Sequence, residues 1–223
     1  NNVAIGPQAG EDLTSGASNV FVGFQAGRDT TTGGNNVGTG PYAADSLTTA
    51  ENTIAIGHNA IATGVLTGTD NTGIGRSAGN DLTSGTYNFF AGYESGFNAT
   101  TANYTVSIGA KTIGSGVLTG TDNIAIGQFA GYDLTSGTYN FFAGNRAGFN
   151  ATTASHTIAI GQYAISDGTL TGSYNVALGH GTGKNLIGGQ LNFFGGYEAG
   201  VNATSANYNV AIGYSAIGSG VLT

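Results

Sequence analysis

The chain contains no cysteine and no methionine, and charged residues make up only 8% of its 223 residues. The absence of cysteine excludes disulfide bonds and thiolate metal sites. No apolar run approaches the roughly 20 residues that cross a bilayer as a helix, so we predict no membrane insertion. Twelve acidic residues against five basic ones give a net charge of −7. Because no basic stripe is available to neutralise phosphates, we expect no nucleic-acid partner.

Glycine is abundant, and its 41 copies follow a period. Thirteen units of 17 or 18 residues open with a motif such as NVAIG or NFFAG; they begin at residues 2, 19, 36, 53, 71, 88, 105, 123, 140, 157, 175, 192 and 209. Units of 17, 17 and 18 residues form a 52-residue super-repeat over 19–70, 71–122 and 123–174, and it recurs incompletely over 175–223. We therefore predict a single all-β domain over 1–223, a parallel β-solenoid or β-roll of about thirteen turns.

Numbering each turn from its opening Asn or Thr as position one locates the strand. Positions two to four are short, rich in β-branched residues and ended by Gly at position five, which favours a strand with a corner after it. Where position two is Phe, position four is small, as in Phe89 with Ala91 and Phe193 with Gly195. Packed interiors conserve volume, so this exchange predicts that positions two and four face the core together, with the small position eight.

The third position then faces outward. It carries no charge in any turn, and Phe recurs there among Ala and Gly. An exposed apolar stripe of this kind indicates an interface between subunits. We therefore predict that four phenylalanines form an oligomer interface: Phe21, Phe90, Phe142 and Phe194.

The segments NVAIGYSAIGSGVLT at 209 and TIAIGHNAIATGVLT at 53 resemble the head repeats of trimeric autotransporter adhesins. The longer form NxAIGxxAGxxLTSGxxN also resembles repeat regions of phage tail fibres. The resemblance covers the whole chain, although the corner at LTSGTY is longer than in the adhesin heads. It implies a left-handed coil, a homotrimer and binding to host surfaces.

Positions six and seven, after the invariant Gly, vary most and mix aromatic, amide and charged side chains. Such corners suit contacts with carbohydrate or protein, and the alternative is an unconstrained solvated corner. The ligand-binding candidates, led by the first two pairs, are Tyr93 with Glu94, Tyr197 with Glu198, Tyr42 and Phe129.

Catalysis and metal binding have little support in this sequence. Most acidic residues stand alone in their turns, so no pair of carboxylates is placed for polysaccharide cleavage. No D-x-D-x-D-G loop is present, and one carboxylate per turn provides few oxygen ligands for calcium. We predict no enzyme activity, no metal and no cofactor. The opening Asn of ten turns is expected to form a hydrogen-bonded ladder.

The sequence thus favours a non-enzymatic, extracellular fibre segment of a bacterial surface adhesin or phage tail that binds a host-surface glycan or protein. Two alternatives stay open. The segment is a structural spacer, or its Thr and Ser rows, such as Thr83-Ser84 and Thr135-Ser136, bind ice. Because the chain begins at Asn, we expect it to be a piece of a longer protein or a processed one.

Overall fold

A computed structural model describes residues 1–218 and confirms the β-solenoid fold class. Thirteen parallel strands of three residues each occupy positions two to four of the turns, and no helix occurs in the described part. The chain forms two compact units. One comprises residues 1–110 with 117–119, and the other comprises residues 111–116 with 120–223, of which 219–223 lie outside the described range.

The strands of each unit pair in sequence order and in parallel. The first unit holds β1 (Val3–Ile5), β2 (Val20–Val22), β3 (Val37–Thr39), β4 (Ile54–Ile56), β5 (Thr72–Ile74), β6 (Phe89–Ala91) and β7 (Val106–Ile108). The second holds β8 (Ile124–Ile126), β9 (Phe141–Ala143), β10 (Ile158–Ile160), β11 (Val176–Leu178), β12 (Phe193–Gly195) and β13 (Val210–Ile212). Equivalent positions of successive turns are partners, as in Ile158 with Phe141. Within each unit, a turn therefore stacks on the next in register.

The glycine at position five allows this stacking at the corner. Gly144 has a φ of 134°, and a Cβ placed on it would lie 2.6 Å from the carbonyl oxygen of Gly161 in the next turn. Any side chain there would combine a disfavoured backbone conformation with a backbone clash. The predicted corner is confirmed.

Buried asparagines at position one join the turns on the inside of the coil. The Asn19 Oδ1 accepts the backbone N–H of Asn36, and the Asn36 Oδ1 accepts that of Thr53, both at 2.9 Å. Each amide also donates, as Asn19 does to the Gly33 carbonyl at 2.9 Å. The expected Asn ladder is therefore confirmed, with both halves of the buried amide satisfied.

The predicted facing of the strand was wrong by one residue. Position three points into the coil: Phe21, Phe90, Phe142 and Phe194 are all 0% exposed within the single chain. Positions two and four point outward, and Ile158 and Ile160 remain 37% and 40% exposed. The four phenylalanines are therefore core residues and cannot form the predicted interface. The small position eight is buried, as predicted.

A different exchange of volume fills the interior. Where position three is Phe, position nine is Gly, and a Cβ on Gly148 would lie 2.6 Å from the Phe142 ring. Four turns with a small third residue carry Ile at position nine, as in Ala159 with Ile165. Ile165 has a φ of +46°, an unfavourable conformation for a β-branched residue. The packing that Ile165 provides in place of a Phe offsets that strain.

This packing predicts strong coupling between positions three and nine. Phe142→Ala should cost about 3–5 kcal/mol of unfolding free energy, and Gly148→Ile should also destabilise the protein because its side chain overlaps the ring. The double variant reproduces the pairing of Ala159 with Ile165, so it should cost less than the sum of the single variants. Denaturant unfolding of all three variants measures the coupling, and additive costs would contradict a shared volume.

Candidate interaction surfaces

The outward side of the strands is an apolar face in each unit. We call it the two/four face, after the positions that form it. Its most exposed large members in the first unit are Val3, Ile5, Val20, Ile54, Ile56, Ile74, Phe89 and Ile108. In the second unit they are Ile124, Ile126, Ile158, Ile160, Phe193, Val210 and Ile212. No charged residue occupies position two or four in any turn.

The exchange of residue size between positions two and four lies on this exposed face. Phe193 and Gly195 show how it works, because a Cβ on Gly195 would lie only 3.4 Å from the Phe193 ring. The ring therefore lies beside the small residue and leaves room for a methyl group but not for a large side chain at position four. Water imposes no such conservation of volume, whereas a packed contact does.

The leading ligand candidates do not form one site. Tyr93, which is 40% exposed, and Glu94 belong to the first unit. The Arg76 guanidinium lies 5.5 Å from the centre of the Tyr93 ring, a cation–π contact. Tyr197 and Glu198 belong to the second unit and have different neighbours.

Tyr197 is the middle ring of a stack. His180 lies 4.9 Å away on one side and Tyr214 lies 5.1 Å away on the other, measured between ring centres. The neighbouring Glu198 carboxylate raises the pKa of the Tyr197 phenol, because a second negative charge disfavours the phenolate. Tyr197 therefore stays a neutral phenol, with both ring faces covered by its neighbours.

The other two candidates also pack against rings. Tyr42 meets Phe24 and His58 edge to face, at 5.3 and 5.8 Å. Phe129 meets Tyr132 edge to face at 5.5 Å, and the Arg146 guanidinium lies 5.8 Å from the centre of the Phe129 ring. Both are half-buried parts of local aromatic clusters.

The surface of the described residues holds no ligand-sized pocket. Within the same range, no group of three or more His, Asp or Glu side chains is placed to hold a metal ion. No helix in residues 1–218 is long and apolar enough to cross a membrane.

The Thr rows are tied to the backbone. The hydroxyls of Thr83 and Thr135 donate to the carbonyls of Thr100 and Thr152 in the next turn, both at 2.9 Å. Thr14 and Thr31 do the same at 2.9 and 2.8 Å. The protons of these hydroxyls are thus engaged within the chain, which weakens the case for an ice-binding surface.

Sequence reasoning missed an aromatic column at the residue just before each opening Asn or Thr, which we call position zero. Tyr139, His156 and Tyr174 stack there on successive turns of the second unit, with ring centres 5.0 and 4.6 Å apart. Tyr87 and Tyr104 stack in the first unit, 5.1 Å apart. The repeated Tyr in GTYN and SYN was the available signal.

A small charged cluster lies in the first unit. Arg28 contacts Asp29 at 2.8 Å and Asp45 at 3.2 Å. Asp45 is a buried residue, and its Oδ1 has no hydrogen-bond partner. Burial raises the pKa of Asp45 to about 6, although Arg28 acts in the opposite direction. The charged Asp45 carboxylate thus lowers the stability of the folded chain near neutral pH.

This raised pKa predicts a pH-dependent gain from Asp45→Asn. A carboxyl that titrates near 6 when folded, against an ordinary 3.8, makes the native chain more stable as the pH falls through that interval. The variant lacks this dependence. It should melt above the unmodified chain near pH 8, and the difference should shrink or reverse near pH 4. Thermal melts across that range check this, and a constant difference would contradict it.

Comparison with protein-family models, with curated proteins and with solved structures finds no match to this chain.

Proposed function

We propose that this chain is a non-enzymatic segment of an extracellular fibre. Three copies of the chain pack together through their two/four faces, and the assembly attaches to a host-surface glycan or protein. The observation that carries the packing is the conservation of volume on an exposed face. Phe at position two always accompanies Ala or Gly at position four, although both point away from the core of their own chain.

A second copy of the chain is the partner that this face fits best. The partner must present an uncharged apolar surface with the spacing of stacked strands, and the two/four face of another copy has both properties. Cyclic symmetry about an axis parallel to the strand stack would bring equivalent turns together. The count of three rests on the resemblance to trimeric autotransporter heads.

The adhesive part of the proposal rests on the remaining exposed corners. Partly exposed aromatic side chains, including Tyr93 and Tyr197, alternate there with amides and single charges. Tyr provides a large and rigid contact area at low entropic cost, and it is enriched at recognition surfaces. The resemblance to adhesin heads and tail fibres supports the same role and an extracellular location.

A single charge on the two/four face tests the packing. Ile160 is 40% exposed and lies in β10, away from the ends of its unit. Ile160→Glu would place an unpaired carboxylate in an apolar interface. Each buried carboxylate should make the free energy of association less favourable by roughly several kcal/mol. We expect light scattering to report the mass of three chains before the substitution and of one chain after it.

Gln162→Glu provides the matched control, because it adds the same charge at an exposed position two residues later. It should leave the mass unchanged. Far-UV circular dichroism should report the same β-content for both variants. A single-chain mass for the unmodified protein at micromolar concentration would contradict the packing proposal.

A glycan array and a cell-binding assay with the assembled segment test the adhesive role. We expect binding to a subset of glycans or to a surface protein. If both assays stay blank while a longer natural form of the protein still binds, the segment is the structural spacer.

A further inference from the structure

The aromatic column at position zero changes character along the chain. The first turns carry polar residues there, namely Ser18, Asn35, Asn52 and Asp70. From residue 87 onward the column is mostly aromatic: Tyr87, Tyr104, Tyr139, His156, Tyr174 and Tyr208. Asp122 and Leu191 complete it. The same structural place thus takes two kinds of residue.

The backbone at position zero does not favour these rings. Tyr139, His156 and Tyr174 have φ values of 58°, 56° and 61°, in the left-handed region. Asn and Asp tolerate that region best among residues with a side chain, and Asp122 occupies it at 59°. Aromatic residues are a costlier choice at a site where the chain elsewhere uses tolerant ones.

The rings are held rigidly and remain exposed. His156 lies between Tyr139 and Tyr174, with interplanar angles of 28° and 14°. Tyr139 and Tyr174 are still 57% and 52% exposed. Stacking therefore covers ring faces and leaves edges and hydroxyls to solvent. The rotamer entropy that a ligand contact would cost has already been lost on folding.

The two phenol hydroxyls are available for hydrogen bonding, because within residues 1–218 neither has a partner. A row of smaller hydroxyls runs beside them, one residue earlier in each turn: Thr138, Ser155 and Ser173. Thr138 Oγ1 and Ser155 Oγ are 3.4 Å apart, and the Ser155 N–H donates to Ser173 Oγ at 3.1 Å. Two parallel rows of hydroxyls thus line this edge of the second unit.

We propose that this hydroxyl-lined aromatic column binds an extended neutral glycan, with one sugar residue for each turn. The proposal rests on the adhesive function above and gives it a site and a ligand class. The ring centres repeat at 5.0 and 4.6 Å, close to the advance of one sugar along an extended β-1,4-linked chain. The net charge of −7 disfavours an anionic glycan.

The contacts differ from those of open aromatic platforms. Because both faces of His156 are covered, a sugar ring cannot stack on it. Recognition would come from hydrogen bonds between sugar hydroxyls and the Tyr, Ser and Thr hydroxyls. A helical glycan of the same sugar would leave the register after one or two residues. The spacing of the turns therefore makes the site specific for glycans whose linkage keeps the chain extended.

Removing the two phenol hydroxyls tests this directly. Tyr139→Phe with Tyr174→Phe keeps the stacked rings and deletes only the hydroxyls. Loss of one or two net hydrogen bonds should weaken binding of cellohexaose or chitohexaose about tenfold, with the melting temperature unchanged. Isothermal titration calorimetry gives the affinities, which should rise from the disaccharide to the tetrasaccharide.

Two controls isolate the column. Tyr132→Phe removes a phenol hydroxyl of the second unit outside the column and should leave binding unchanged. Maltohexaose, a glucose oligomer with helical α-linkages, should bind weakly or not at all. Replacing Tyr139 and Tyr174 by Asp, which the column already carries at Asp122, should abolish binding while the turns still form.

The outcomes separate this inference from the proposed function. A glycan array that is positive while the double Phe variant binds its ligand normally overturns the column as the site and leaves the adhesive role standing. A blank array overturns both. A change in the mass of the assembly in the Asp variants would assign the column to contact between copies of the chain, and would also overturn the glycan site.

Discussion

Close stacking of the backbone at one corner governs the rest of this structure. At position five, glycines such as Gly92 pack against the turn that follows, and a Cβ on Gly92 would overlap the backbone of Gly109. This contact sets the distance between turns, and the strands, the asparagine ladder and the side-chain columns inherit that spacing. Because every column repeats at the same interval, a residue type that recurs at one position of the repeat forms a continuous row on the surface. The apolar two/four face and the aromatic column both arise in this way, from a constraint that acts on glycine alone.

The repeat period, the strand positions and the corners could all be predicted from the sequence, since each leaves a mark in every turn. The facing of the strand could not. A three-residue strand has two possible orientations, and the size exchange between positions two and four favours the one that buries both positions inside the chain, which is wrong. The interior is in fact narrow, so the small residues of position three, such as Ala159, belong inside, and Phe142 fits only because Gly148 and Gly131 make room. An exchange of volume between two positions indicates that they are packed together. It does not show whether they pack against their own chain or against another molecule.

The candidate ligand residues illustrate a second limit. Tyr93 and Tyr197 occupy the same position of the repeat, yet one lies under an arginine and the other lies inside a stack of rings. Their neighbours come from adjacent turns, whose residues differ at the same variable positions, so a repeat pattern alone cannot assign their surroundings. The aromatic column at position zero could not be predicted from the sequence for the same reason. A single Tyr before Asn is an ordinary turn residue, and it becomes part of an exposed aromatic column only when neighbouring turns place rings on either side.

The asparagine ladder divides into groups of turns, one of four turns from Asn2 to Thr53 and then groups of three. Asn123 joins Asn140, and Asn140 joins Thr157, whose hydroxyl turns back to the Ser155 carbonyl and ends the series. The next group opens afresh with Asn175 and Asn192. A group of this kind is one 52-residue super-repeat, so its buried amide bonds begin and end inside the segment that the sequence repeats. Duplication or loss of a whole super-repeat would therefore leave each remaining group with its own amide bonds. The length of this repeat protein can therefore evolve in fixed steps.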